Sequence, residues 1–185
     1  LIGLLLAVRA DHFDAFLGVL CVLGLLFAHA ANNLLNDTID SARGVDKGNY
    51  YRNQYGVHLL ESGLINQKQM WAYIAFTGGV AVLIGLALIY LRGGYTGPLM
   101  ALGSFFVIFY TWPLKYIGLG EPTVLLVWGP LIVGGTFYVV TGYWQWDVIA
   151  ISLLYALGPT SVLFGKHIDK APLDLAKGIY SLPVI

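Results

Sequence analysis

Between residues 32 and 46 the sequence places Asn32, Asn33, Asn36, Asp37, Asp40 and Asp46 directly after an apolar run, 13–31, whose strongly polar members are Asp14 and His29. On a helix advancing 100° per residue, Asn33, Asn36, Asp37 and Asp40 share an arc of about 100°, and His29 lies on the same arc one turn deeper. A lone acid there would read as a solvated helix end. Four residues at i, i+3, i+4 and i+7 on one face read as a binding stripe, because polar groups beside lipid are costly. Oxygen-only donors of this kind suit Mg²⁺, which takes carboxylates and fills its remaining positions with waters or phosphate oxygens. A second acidic pair, Asp169 and Asp174, lies near the far end among Lys166, Lys170 and Lys177, and Lys115 stands between the two regions beside Pro113.

The elements that must position these groups are membrane helices. Hydrophobic residues make up 58% and charged residues 11% of 185, and several apolar runs reach spanning length, so the chain reads as an all-α, polytopic transmembrane bundle. Spans are expected over 13–35 (its helix running on towards Ser41), 68–91, 96–112, 122–141 and 147–168, with residues 1–8 as the tail of a further helix. Between the first two spans runs a polar connection of roughly 24 residues, longer than ordinary loops and so a candidate functional segment or interfacial helix. It carries Arg43, Lys47 and Arg52 together with Tyr50, Tyr51, Tyr55 and His58. Balanced charge, ten Lys and Arg against ten Asp and Glu, leaves no nucleic-acid footprint. The lone Cys21 excludes an internal disulfide. No initiator Met is present, and the chain is expected to be one membrane domain, 1–185, cut from a longer protein at both ends.

Parity ties the acidic regions together. Four spans separate Asp37/Asp40 from Asp169/Asp174, and two separate each from Lys115, so all three are expected on one membrane face. That face carries eight basic residues (Arg43, Lys47, Arg52, Lys68, Lys115, Lys166, Lys170 and Lys177) and the other two (Arg9 and Arg92), which makes the acidic side cytoplasmic. Carboxylates that hold Mg²⁺, Mg²⁺ that holds a diphosphate, and cations that neutralise the departing phosphate would together serve a substrate with a diphosphate head and an isoprenoid tail. Loss of the diphosphate leaves an allylic cation, which aromatic faces stabilise and an electron-rich acceptor attacks.

The sequence resembles the UbiA superfamily of intramembrane prenyltransferases. Asn36-Asp37-x-x-Asp40 followed by Gly44-Val45-Asp46 is similar to its first aspartate-rich motif, and Ser62-Gly63-Leu64-Ile65 to a turn that follows it. The stretch from Tyr110 through Pro113, Lys115 and Gly118-Leu119-Gly120-Glu121 resembles the family's Tyr-x-x-Pro/Lys loop, above all in its 1,4-dihydroxy-2-naphthoate branch, and Asp174-x-x-x-Gly178 with Leu182-Pro183-Val184 resembles the tail of the second motif.

The resemblance implies a nine-helix bundle of which this chain supplies about helices 2–6. It implies Mg²⁺ as cofactor, held with the diphosphate by Asn36, Asp37 and Asp40 and, at a second ion, by Asp169 and Asp174. Asp37, Asp40 and Lys115 become the catalytic candidates. Asn33, Asn36, Arg43, Lys47, Arg52 and Tyr110 become substrate contacts. The partners implied are a polyprenyl diphosphate, an aromatic acceptor of quinone biosynthesis and the lipid bilayer, with no protein partner.

The sequence also departs from the family. Asp169 and Asp174 are five apart, about 140° on a straight helix, with Pro172 between them to break it, and Leu175 stands where the family has arginine. Other acceptors, such as homogentisate or 4-hydroxybenzoate, stay open.

Two other classes compete. CDP-alcohol phosphotransferases also begin with Asp-x-x-Asp but require Gly next, where this chain has Ser41. Ion-coupled transporters set their acids near the bilayer midplane rather than at span ends. Lys115 is readable as a topology anchor or a phosphate ligand, Lys166 and Lys170 as anchors, His29 as structural or acceptor-facing, and His167 as a partner for Asp169 or a plain interfacial residue.

Overall fold

The computed structural model describes residues 1–45, 57 and 59–185. The expectations for Asp46, Lys47, Tyr50, Tyr51, Arg52, Tyr55 and His58 lie outside the described residues. Helix α1 (Ile2–Arg9) turns through residues 10–14 into α2 (Ala15–Ala42), which starts where the Asp14 side chain accepts the Leu17 N–H at 3.0 Å. At 28 residues α2 is about 42 Å long, so it crosses a hydrocarbon core and carries its last turns beyond it. The helix therefore continues without a break through Asn33, Asn36, Asp37 and Asp40. It stops at Gly44, whose φ of +67° is a left-handed conformation that glycine adopts without steric cost.

Helix α3 (Gln67–Arg92) begins with a capping box in which Asn66 and Gln69 satisfy each other's backbone N–H groups. Helix α4 (Thr96–Phe109) is 14 residues long and ends before the expected boundary at 112, because the chain leaves the helix at Tyr110 and turns through a cis Trp112–Pro113 bond. A 3-10 turn (Leu114–Tyr116) leads to α5 (Gly120–Leu126). The fourth expected span is continuous in length but not in kind: between α5 and α6 (Gly135–Thr141) the residues Val127–Gly134 form a π-helical segment. Pro130 lies inside it, lacks an N–H and would clash with the preceding turn of an α-helix, and the wider turn accommodates it. Helix α7 (Trp146–Asp169) and the short α8 (Ala171–Ala176) close the described chain, with Pro172 in the first turn of α8.

The α5–α6 rod is central. More than half of its apolar stretch is buried (56%), against 6% for α3, and large apolar side chains such as Phe16, Phe76, Leu83 and Leu154 point outward as lipid-facing residues do. Gly129 allows α7 to approach the rod closely, since a Cβ there would stand 2.9 Å from the Ser152 carbonyl oxygen and 3.1 Å from Ala156 Cβ. The apolar core gathers at one end, where Ala7, Leu17, Cys21, Leu88 and Phe137 pack together. The buried charges collect at the other.

Candidate functional site

Three contacts tie α2 to the segment from α4 to the 3-10 turn. Asn32 Nδ2 donates to the Val107 carbonyl (3.0 Å), Thr111 Oγ1 to Asn36 Oδ1 (3.2 Å), and Lys115 Nζ to both carboxylate oxygens of Asp40 (2.7 and 2.6 Å). Each partner is 75 residues on, while both sides advance by four, so the two segments run side by side in the same direction with one contact per turn of α2. Lys115 thereby reaches the end of the bundle that holds Asp40. Its turn is fixed by its own N–H donating to the Tyr110 carbonyl (2.9 Å) and by Tyr116 N–H donating to that of Pro113 (2.8 Å).

Lys115 and Asp40 are 4% and 6% exposed, too deep for Lys115 to be a solvated topology anchor. Burial pulls the ammonium below its ordinary pKa with help from the Lys170 charge, and the Asp40 and Asp174 carboxylates oppose that pull. The ammonium is therefore paired with the carboxylate of one acidic region and within electrostatic reach of one from the other. Beside it the exposed Arg43 guanidinium lies over the rings of Trp112 (5.0 Å) and Tyr116 (4.9 Å), where cation–π attraction holds it at the rim.

The second acidic region is stitched to this end by Lys177 Nζ, which donates to the Gly44 carbonyl (2.7 Å), and by Tyr180 N–H, which donates to that of Tyr116 (3.2 Å). Asp174 is 1% exposed, and neither of its oxygens has a hydrogen bond; the Lys170 ammonium stands 3.5 Å from Oδ1. Burial raises its carboxyl above the ordinary aspartate value, against the lowering pull of Lys170, His167 and Lys115. Asp169, the last residue of α7, is exposed, so the break at Pro172 leaves the two acids in different surroundings.

A model of the UbiA prenyltransferase family matches residues 1–185. The chain belongs to that family. It is similar to the UbiA prenyltransferase domain-containing protein 1 homolog of Drosophila melanogaster, at 27% identity over all of this chain and 52% of the relative. It is also similar to the 2-carboxy-1,4-naphthoquinone phytyltransferase of a Synechocystis strain (29%, over 90% of this chain and 53% of the relative) and to the 1,4-dihydroxy-2-naphthoate octaprenyltransferase of Escherichia coli (29%, over 75% and 47%). The chain spans about half the length of these curated relatives. No solved structure matches it significantly.

Within this UbiA chain the other sequence-chosen residues are less concentrated. Asn36 and Asp37 are half-buried on α2, Asn33 is exposed, and the half-buried Tyr110 is near enough to Glu121 and Asp40 to feel both charges. His29 meets Trp128 edge to face at 5.8 Å. Among the described residues no three of His, Cys, Asp and Glu converge, so an all-protein metal cage is absent from them. The donor set fits a different arrangement. Mg²⁺ takes one or two carboxylates and draws its other ligands from water and phosphate, and the hydrogen-bond-free oxygens of buried Asp174 offer such a position.

Sequence reasoning gave no role to Glu121 and left His167 as a partner for Asp169 or an interfacial residue. The structure buries both, at 1% and 2% exposure, with His167 Nδ1 and Glu121 Oε1 2.6 Å apart. A Glu at the start of a span reads as an ordinary first-turn acid, and nothing local to either residue announces a partner 46 positions away.

Proposed function

We propose that the protein transfers a prenyl group from a polyprenyl diphosphate to an aromatic acceptor within the membrane, with Mg²⁺ as cofactor. The observation that supports this reading is the buried Lys115–Asp40 pair at the end of an otherwise apolar bundle to which the segment carrying the buried Asp174 is also tied, so that an acid from each motif and a cation share that end. Mg²⁺, when bound, supplies charge neutralisation to the diphosphate. Asn36, Asp37 and Asp40 would hold one ion, and Asp174 with Asp169 a second.

The chain's own cations complete the task. Lys115 and Arg43 (with Lys47 and Arg52) contact the diphosphate oxygens and stabilise the negative charge that grows as the C1–O bond breaks and its electron pair leaves with the diphosphate. The faces of Tyr110, Trp112 and Tyr116 stabilise the allylic cation. A carbon of the electron-rich acceptor ring then supplies the pair that forms the new C–C bond, and the ring regains aromaticity by losing a proton. The apolar faces of α2 and α4 shelter the isoprenoid tail.

The excess of basic residues supports a cytoplasmic acidic end by the positive-inside rule. The names of two relatives carry a naphthoate or naphthoquinone ring, which favours 1,4-dihydroxy-2-naphthoate and a place in quinone biosynthesis. The test is an in-membrane assay of the full-length protein with labelled prenyl diphosphates of several lengths and a panel of aromatic acceptors, run with Mg²⁺, with EDTA, and with Asp37→Ala and Asp40→Ala. Mg²⁺-dependent product that disappears in both variants supports the reading. Turnover that survives loss of both acids sinks it.

A further inference from the structure

We infer that Glu121 and His167 form a positioning pair, which holds the second acidic region in register with Lys115. This rests on the reading that Lys115 and Asp174 meet a magnesium diphosphate.

Glu121 begins the helix that follows the Lys115 turn, and His167 lies in the last turn of α7, just before the short helix that carries Asp174. Their contact is thus a bridge between the two loops that deliver the ammonium and the carboxylate. The imidazole and the Lys115 turn also close on the same glycine: a Cβ placed at Gly120 would lie 3.6 Å from Lys115 Cα and 3.8 Å from His167 Cε1. The pair is buried, so water does not screen it, and at 2.6 Å it is short.

A contact selected for stability alone would satisfy both carboxylate oxygens. Here Glu121 Oε2 is buried with no hydrogen bond, and such an oxygen costs free energy that apolar side chains of similar size would avoid. An arrangement that spends stability on one fixed geometry is the behaviour of outer residues that orient the groups touching a metal or phosphate.

The experiment compares three variants of the full-length protein in nanodiscs: Glu121→Leu/His167→Leu, which replaces the pair by apolar side chains; His167→Leu; and His167→Asn, whose amide keeps a donor where Nδ1 stood. Thermal stability is read without ligand, and affinity for Mg²⁺ with inorganic pyrophosphate is read by calorimetry. The double apolar variant is expected to be as stable as the parent or more so, yet to bind magnesium pyrophosphate about tenfold or more weakly. His167→Asn is expected to retain most of the affinity that His167→Leu loses.

A folded double variant with parental affinity overturns the proposal and leaves the pair a structural tie. Should the double variant not accumulate, the two His167 single variants decide: equal affinities refute the pair's role, and rescue by asparagine upholds it. A parent protein that binds no magnesium pyrophosphate refutes the diphosphate reading itself, a result separate from failure of the pair.

Discussion

Both carboxylate oxygens of Asp40 accept from the Lys115 ammonium, at 2.7 and 2.6 Å, and neither residue is more than 6% exposed. The lysine nitrogen therefore takes up both oxygens of that carboxylate at once. A charged pair this deep gains strongly from mutual attraction, but each member also loses its water, so its net worth lies mainly in not leaving one charge alone.

Removing one partner should be costly. Lys115→Met strands the Asp40 carboxylate and is expected to destabilise the protein by roughly 3–5 kcal/mol. Lys115→Met with Asp40→Leu should recover most of that stability while remaining inactive. Denaturation in nanodiscs checks both. A double variant no more stable than Lys115→Met would show that the pair is not the source of the loss.

Metal and diphosphate should bind cooperatively. Mg²⁺ held by Asp40 would compete with the Lys115 ammonium, and a diphosphate would offer that ammonium a new partner. Each ligand is expected to tighten the other by about 5- to 150-fold, the usual range of coupling between sites. Calorimetry with Mg²⁺, with pyrophosphate and with both measures the coupling, and strictly additive binding would contradict it.

Acid should help the ligand-free fold through Asp174. Burial raises its folded-state carboxyl above the ordinary value of 3.8, so the folded chain holds that proton more tightly than the unfolded chain does. The resulting stabilisation is complete below pH 3.8 and is lost as pH rises through the raised folded value. Asp174→Asn, which stays neutral, should therefore melt a few degrees above the parent at neutral pH without Mg²⁺, with the gap closing in acid. A gap that is constant from pH 4 to 8 would refute the assignment.

Arg43→Lys tests the stacked guanidinium. Lysine keeps the charge but loses the planar contact with Trp112 and Tyr116. Exposed cation–π contacts are worth about 0.5–1 kcal/mol, so KM for the prenyl diphosphate should rise by about two- to fivefold with kcat little changed. A fall in kcat at constant KM would place Arg43 in the chemistry rather than in binding.

Much of the fold is legible because hydropathy is a local property. The long apolar runs set α2, α3 and α7 to within a few residues, and the arc shared by Asn33, Asn36, Asp37 and Asp40 follows from helix pitch alone. The early end of α4 and the π-helical turn around Pro130 are less legible, since both depend on how a proline is accommodated by its neighbours. Partnerships across helices are the least legible. Lys115 reads as anchor or phosphate ligand until packing brings Asp40 onto it, and Glu121 and His167 look unrelated until α5 and α7 are set side by side.

The ladder of partners at a fixed offset of 75 works as a ruler. The depth of the Asp40 carboxylate that receives the Lys115 charge is counted off in turns of α2 from Asn32. On α2, where this ladder runs along a continuous helix, a one-residue insertion between Asn36 and Asp40 would swing the Asp40 carboxylate round by about 100°. Changes in chain length at this end of α2 therefore act in steps, and homologues with a whole-turn difference there should show a compensating shift in the segment that carries Lys115.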